Sequence, residues 1–256
     1  MSQKYNRMRN YKQYKRITRR KYGIMALVLL FFVLLTISFL LYTDFFDIKE
    51  VNIIGNDYVS EKEILRNGDL NIGANIFKFN KKKIQEQIER HSLIKTAEIT
   101  RKYPNRINIE VLEREVIGII PFEDGSFIYI DQEGVVLKKY DILNTYHSPL
   151  ITGLENISFI VGNPIDIQPS WLAESLLDIL SRLKDNKLIE KVSEVNVLED
   201  NTIQIYTKDG SVIKIGDAKT MEKKMDFLKA FLSETHPKSI IDISHGGDPV
   251  SKPRAN

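Results

Sequence analysis

The sequence predicts an α+β protein hung from a single membrane-spanning helix. Three observations carry that reading. Residues 23–42, GIMALVLLFFVLLTISFLLY, form an apolar run without a charge. Residues 45–115 alternate as strand, helix, helix, strand, strand, and residues 116–244 interleave turn-bounded strands with two amphipathic helices.

The apolar run holds fourteen Ile, Leu, Val or Phe side chains in its twenty positions. At a rise of about 1.5 Å per residue it makes a helix of about 30 Å, the thickness of a bilayer's hydrocarbon core. Those side chains favour insertion by about 4 to 8 kcal/mol. A soluble core helix would keep a polar stripe, and this one has none. Residues 1–22 carry nine Lys or Arg and no acid, and the first acidic residue is Asp44. Positive charge gathered at one end keeps that end in the cytoplasm, so the chain reads N-inside, C-outside. A cleaved signal peptide has a shorter apolar region followed by small residues. Here SFLLYTDFFD follows with bulky ones, so the segment reads as a permanent anchor. The basic tail, 1–22, has few aliphatic residues and reads as disordered and cytoplasmic.

The net charge of +3 belongs to that tail. Beyond it, 28 basic residues face 34 acidic ones, a net charge of −6. A nucleic-acid-binding domain should itself be basic, so nucleic acid is not an expected partner. There is no cysteine. Disulfides, thiolate metal sites and cysteine nucleophiles are therefore excluded, and an external domain must be held by its hydrophobic core.

After the anchor, FFDIKEVNIIGN (45–56) reads as a strand and turn, with Val51 and Ile53 alternating with Glu50 and Asn52. Ser60 and Glu63 have the spacing of a capping box and open a short helix to Gly68. Lysines 81–83 open a second helix, with Ile84 and Ile88 on one face. Strands TAEITRKY (96–103) and NRINIEVLER (105–114) meet at Tyr103-Pro104-Asn105. Two helices should then cover one face of a three-stranded sheet.

In residues 116–244, turns fall at Glu123-Asp124-Gly125, Gln132-Glu133-Gly134 and Lys208-Asp209-Gly210. Leu172, Leu176, Ile179, Leu180 and Leu183 stripe one helix behind Ser170 as N-cap, and Met221, Met225, Leu228 and Leu232 stripe another from about Ala218. Trp171 is expected to pack over the sheet. EVNVLED, NTIQIYT and SVIKIGD (194–217) read as successive antiparallel strands, and SIIDIS (239–244) as the last strand. HGGDPVSKPRAN (245–256) has no periodicity and reads as a disordered tail.

No catalytic or metal-binding constellation stands out, and no cofactor motif is present. His91, His147, His236 and His245 are scattered without ligand spacing. The expectation is a binding protein rather than an enzyme. A last strand at a sheet edge offers unpaired N–H and C=O groups that a partner can complete. Alternation turns Ile241 and Ile243 to the core and leaves Ile240 and Asp242 facing out.

The opening FxIxxVxxxGN, the closing KYPNRINIEVLER and the βααββ order resemble a POTRA domain behind a signal anchor. With FIYIDQEGVVLKK (127–139), PLITG (149–153) and SIIDIS in that order, the chain resembles the FtsQ/DivIB family of bacterial cell-division proteins. The resemblance implies a POTRA domain at 45–115 and a mostly antiparallel β domain with flanking helices at 116–244. It implies a non-enzymatic scaffold at the division septum, single-pass in the cell membrane, with its C-terminal part extracytoplasmic. Its expected partners are FtsB/DivIC-like and FtsL-like coiled-coil proteins, with the septal peptidoglycan synthase as a further one. The partner-binding residues it implies are Ser239, Ile240, Ile241, Asp242, Ile243 and Ser244. Two other readings are a POTRA-bearing chaperone or translocation component and an anchored cell-wall enzyme. The single βααββ unit and the lack of barrel-length alternating segments weigh against the former.

Overall fold

The structure, a computed structural model, describes residues 2–143, 147–216, 221–234, 237–245 and 248–254, with side chains described from Lys21 onward. It begins with one unbroken helix, α1 (Ser2–Tyr42). Within it, Lys21–Tyr42 is long and apolar enough to cross a membrane, and its most apolar stretch is wholly unburied. Residues 1–22, expected to be disordered, instead continue this helix back to Ser2. Neither Gly nor Pro interrupts residues 2–22. Helix propagates from a preformed turn more easily than it nucleates, and the apolar segment supplies that turn.

Next come β1 (Glu50–Ile54), α2 (Glu61–Asn67), α3 (Lys81–Glu89), β2 (Ile94–Lys102) and β3 (Arg106–Glu113). This is the βααββ order read from the sequence. The strands form a sheet in the order β1-β3-β2, with β1 parallel and β2 antiparallel to β3. Ile64, Ile84 and Ile88 of the helices bury against Ile99, Ile107, Ile109 and Val111 of the sheet. Each such burial contributes about 1.5 to 3 kcal/mol. Half of the expected capping box forms. Ser60 Oγ accepts from the Glu63 amide at 3.3 Å, while the Glu63 carboxylate lies 3.3 Å from His91 Nε2. Helix α3 is capped by Asn80, whose Oδ1 accepts from the Lys83 amide at 3.2 Å.

The second sheet has nine strands. Its elements are β4 (Gly118–Pro121), β5 (Phe127–Ile130), β6 (Val136–Tyr140) and β7 (Leu150–Thr152), followed by a small ribbon of β8 (Ile157–Ser158) and β9 (Asp166–Ile167). Then follow α4 (Ser170–Asp185), β10 (Val192–Val197), β11 (Ile203–Thr207), β12 (Val212–Gly216), α5 (Met221–Ser233), β13 (Ser239–Asp242) and β14 (Val250–Pro253). The spatial order is β14-β13-β12-β11-β10-β7-β4-β5-β6. Pairing is parallel at β4–β7, β7–β10 and β12–β13 and antiparallel elsewhere. The connection from β7 to β10 carries α4 and that from β12 to β13 carries α5, while β4 reaches β7 through β5 and β6. Both predicted helix stripes bury in the same core as the sheet. The expected start of α5 at Ala218 lies outside the described residues.

Two expectations are corrected here. Trp171 does not pack away: it is 47 % exposed at the first turn of α4. Nor is SIIDIS the last strand, because Val250–Pro253 from the expected tail pairs antiparallel along β13. A bare β13 would leave a row of unpaired backbone groups, and the following residues are within reach to fill it.

Gly153, after β7, is among the glycines dictated by packing: it has φ +74°, and a Cβ there would collide with the Val197 carbonyl. Gly125, in the β4–β5 turn, has φ +83° but open space around it. Gly153→Ala is therefore expected to destabilise the protein by more than about 1 kcal/mol, and Gly125→Ala by less, in urea unfolding followed by circular dichroism.

Candidate functional site

The C-terminal end of the large sheet is assembled from three strands of unequal standing. β12 is clamped from below by α5, where the buried Lys224 donates through Nζ to the Ile215 carbonyl at 2.8 Å. β13 lies parallel to β12 with Ile240, Ile241 and Asp242 opposite Val212, Ile213 and Lys214. The Ser239 amide donates to Ser211 Oγ at 3.1 Å and the Ile243 amide to the Lys214 carbonyl at 3.0 Å, which fixes the register at both ends.

Ile241 and Ile243 are buried, and Ile240 and Asp242 lie half-buried on the other side, the alternation read from the sequence. Ser239 is buried and Ser244 is exposed. The Ser244 hydroxyl and amide both donate to Asp242 Oδ1, at 2.6 and 3.0 Å, and hold the Asp242 carboxyl below its usual range. The six predicted residues thus form one continuous strand end. They do not form the sheet edge.

That edge is β14, and it is weakly held. Val250, Ser251, Lys252 and Pro253 are all exposed, so pairing with β13 buries almost no side chain. The Arg254 amide and side chain extend the contact, donating to the Lys238 carbonyl at 3.0 Å and the Gly210 carbonyl at 2.7 Å. Segments with few buried apolar contacts open at the low end of a protein's stability range. The opposite edge, β6, is blunted. Its Val136 amide and carbonyl bond Asn163 and Gly162 at 2.9 and 2.8 Å, and Lys138 and Lys139 face the remainder. Lys139 pairs with Asp124; this hydrogen bond, with those from Ser126, lowers the Asp124 carboxyl to about 2.

A second cluster joins the two sheets. Arg114, just beyond β3, pairs with Asp131 and, at 2.7 Å, with Glu133, in the turn between β5 and β6. Asp131 is almost fully buried and shapes that turn, its Oδ1 accepting from the Glu133 and Val135 amides at 2.9 and 2.8 Å. Lys95 of β2 closes the cluster on Glu133 at 2.8 Å, and Lys184 pairs with Glu115. Beside it, Leu93 packs against both the core of the small sheet and a cluster of Ile119, Tyr129, Val135 and Leu137. The hydrogen bonds from Lys95, then Arg114, lower the Glu133 carboxyl. Burial opposes the charge on Arg114, but its bonds to Glu133 and Asp131 outweigh this and raise its pKa. Sequence reading found the turn without its partner, since nothing in the spacing of Arg114 and Asp131 pairs them. Among the described residues, no group of three or more His, Asp or Glu is placed to hold a metal ion.

Comparison with known proteins accounts for both sheets. A family model described as "POTRA domain, FtsQ-type" matches residues 46–114, and one described as "Cell division protein FtsQ/DivIB, C-terminal" matches residues 118–244. The chain belongs to the FtsQ/DivIB family of bacterial cell-division proteins. Cell division protein DivIB of Clostridium botulinum is 28 % identical over 244 residues, covering 93 % of this chain and 94 % of that protein. DivIB of Clostridium tetani is 29 % identical, covering 87 % and 84 %, and that of Bacillus subtilis 27 %, covering 86 % and 80 %. For this FtsQ/DivIB member, the Arg114 cluster sets how the FtsQ-type POTRA domain stands on the larger sheet.

Glu133's carboxyl is lowered in the folded protein, so its contribution is complete above the unfolded value of 4.5 and is lost as pH falls through the folded value. Arg114→Ala leaves Asp131 buried without its cation and is expected to destabilise the protein by roughly 2 kcal/mol at pH 7. In urea unfolding between pH 7 and pH 3, the variant should start lower and lose less on acidification than the parent.

Proposed function

We propose that this protein is a non-enzymatic, membrane-anchored scaffold of the division machinery, and that the strand Ser239–Ser244 receives a segment of an FtsB/DivIC-like coiled-coil protein. The observation that supports this most is the state of β13: its inner side is locked to β12, and among the described residues its outer side pairs with four exposed residues of β14. A partner strand takes that outer side by replacing β14. It gains the same backbone hydrogen bonds and adds side-chain contacts over Ile240 and Asp242 that β14 leaves open.

The anchor holds the basic tail in the cytoplasm and residues 45–244 outside, the POTRA domain at 45–115 and the β domain at 116–244. An FtsL-like protein joins through the coiled-coil partner, and the septal peptidoglycan synthase stands beside the complex. Confinement to the membrane surface raises the strand's effective concentration for other single-span proteins. Division-family relatives covering nearly the whole chain favour this over a translocation role or a cell-wall enzyme.

Two experiments test the reading. Depletion in the native cell is expected to give filaments without septa, with a fluorescent fusion banding at midcell; normal division with uniform labelling would reject the scaffold. For the docking strand, Ile240→Cys with Lys252→Cys places two thiols opposite each other on β13 and β14 in a chain with no other cysteine. Oxidised, this variant is expected to lose co-purification of the coiled-coil partner; reduced, to regain it. Equal capture in both states would remove β13 as the docking strand.

A further inference from the structure

Where the apolar helix ends, the POTRA domain begins with almost no slack. Helix-terminal carbonyls have no partner within the helix. Here the carbonyl of Leu40, two residues before the end of α1, accepts from Asn75 Nδ2 at 3.0 Å. Asn75 is itself buried, and its Oδ1 accepts from the Phe77 amide at 3.0 Å, so its orientation is set by the domain. An aromatic chain continues the joint: Phe39 meets Phe46 at 6.1 Å, Phe46 meets Phe77 at 5.1 Å, and Phe77 stacks on Tyr103 at 5.4 Å. Helix and domain are joined as one piece, which decides which end of the domain faces the membrane.

That end is defined by topology. β1 and β3 are parallel, with Glu50 opposite Arg106, and β2 ends beside them, with Lys102 opposite Arg106. The starts of β1 and β3 and the turn after β2 therefore lie together, next to the helix end. The exposed groups there are of two kinds. Phe45 and Tyr103 are 58 % and 60 % exposed, although they are large aromatics. Lys49, Lys78 and Lys102 are exposed around them, with Lys78 Nζ 4.7 Å over the ring of Tyr42. Of the acids at this end, Glu50 is paired with Arg106 at 2.9 Å, leaving Asp44 and Asp47. Tyr and Lys are among the side chains that anchor proteins at the headgroup level, the ring at the interface and the ammonium towards lipid phosphate.

We propose that this end of the POTRA domain is a foot seated in the phospholipid headgroup layer of the membrane that α1 spans. Phe45 and Tyr103 enter the interface, and Lys49, Lys78 and Lys102 meet lipid phosphates. The proposal rests on the reading of α1 as a membrane span and goes beyond it: a tethered domain is free to tumble, whereas this one stands upright. β3 then rises about 25 Å from the membrane, at about 3.3 Å per residue. The Arg114 cluster and the larger sheet stand above that.

The test uses the full chain in bilayer nanodiscs with lipids brominated high on their acyl chains, which quench nearby tryptophan. In a Trp171→Phe background, single tryptophans are introduced by Leu35→Trp in the span, Tyr103→Trp in the foot and Tyr58→Trp, beside Glu113 at the far end of β3. Emission in unbrominated discs and an unchanged unfolding midpoint control for folding. The expected result is loss of emission for Leu35→Trp and Tyr103→Trp, with Tyr58→Trp unaffected. Adding Lys49→Glu, Lys78→Glu and Lys102→Glu should reduce the Tyr103→Trp loss, more in anionic than in zwitterionic discs. If Leu35→Trp is quenched and Tyr103→Trp behaves like Tyr58→Trp, the foot is wrong and the span stands. If Leu35→Trp is not quenched, both fall.

Discussion

The joint between the two sheets centres on the most buried of its ion pairs, that of Arg114 with the nearly buried Asp131. Asp131 is committed twice. One oxygen holds two amides of its own turn and so shapes the β5–β6 hairpin, while the other meets the guanidinium at the end of β3. Removing either partner would leave a charge in a site of low dielectric, where an unpaired ion is expensive. The pair thereby couples the geometry of a hairpin in one sheet to the end of a strand in the other. Glu133 and Lys95 extend it towards solvent, where screening makes each contact weaker but the network more directional.

Around that pair, rigidity grades along the chain. The small sheet is pinned at its lower end to the helix through Asn75 and at its upper end through Arg114 and Leu93. The large sheet continues from there and is locked by α4 and α5 against one face. Only at the far end does the order of packing decline, from β12 with its buried clamp to β13 and then to β14 without a buried residue. On the proposed reading, in which β13 receives a partner segment, a scaffold would gain from this gradient. The acceptor is held in register by a rigid core, and only the covering segment has to move.

The edge strand shows how such a device protects itself. An open, parallel-locked β13 carrying Ile240 outward would invite pairing with any extended chain. The protein's own Val250–Pro253 takes that place, and it ends in Lys252-Pro253, residues that discourage a further strand. At the other edge, Lys138 and Lys139 and the backbone of Gly162 and Asn163 do the same work by different means.

Much of this was legible in the residues because it is local. The apolar run, the βααββ order, the buried stripes of α4 and α5 and the inward alternation of Ile241 and Ile243 follow from spacing alone, since helical and strand periods write burial directly into sequence. What lay outside local rules was decided by tertiary structure. Asn75 meeting Leu40, Arg114 meeting Asp131, and β14 closing over β13 join residues whose separations carry no pattern. Trp171 and Val250–Pro253 depart from local rules for the same reason, as the place of each depends on neighbours distant in sequence. The sequence by itself determined most of the elements from β1 to β13 and the faces they bury, but not β14 or the extension of α1 back to Ser2. Which strand ends a sheet, and which residue ties one sheet to the next, was decided only by packing, because an edge or an ion pair exists only once separate segments are brought together.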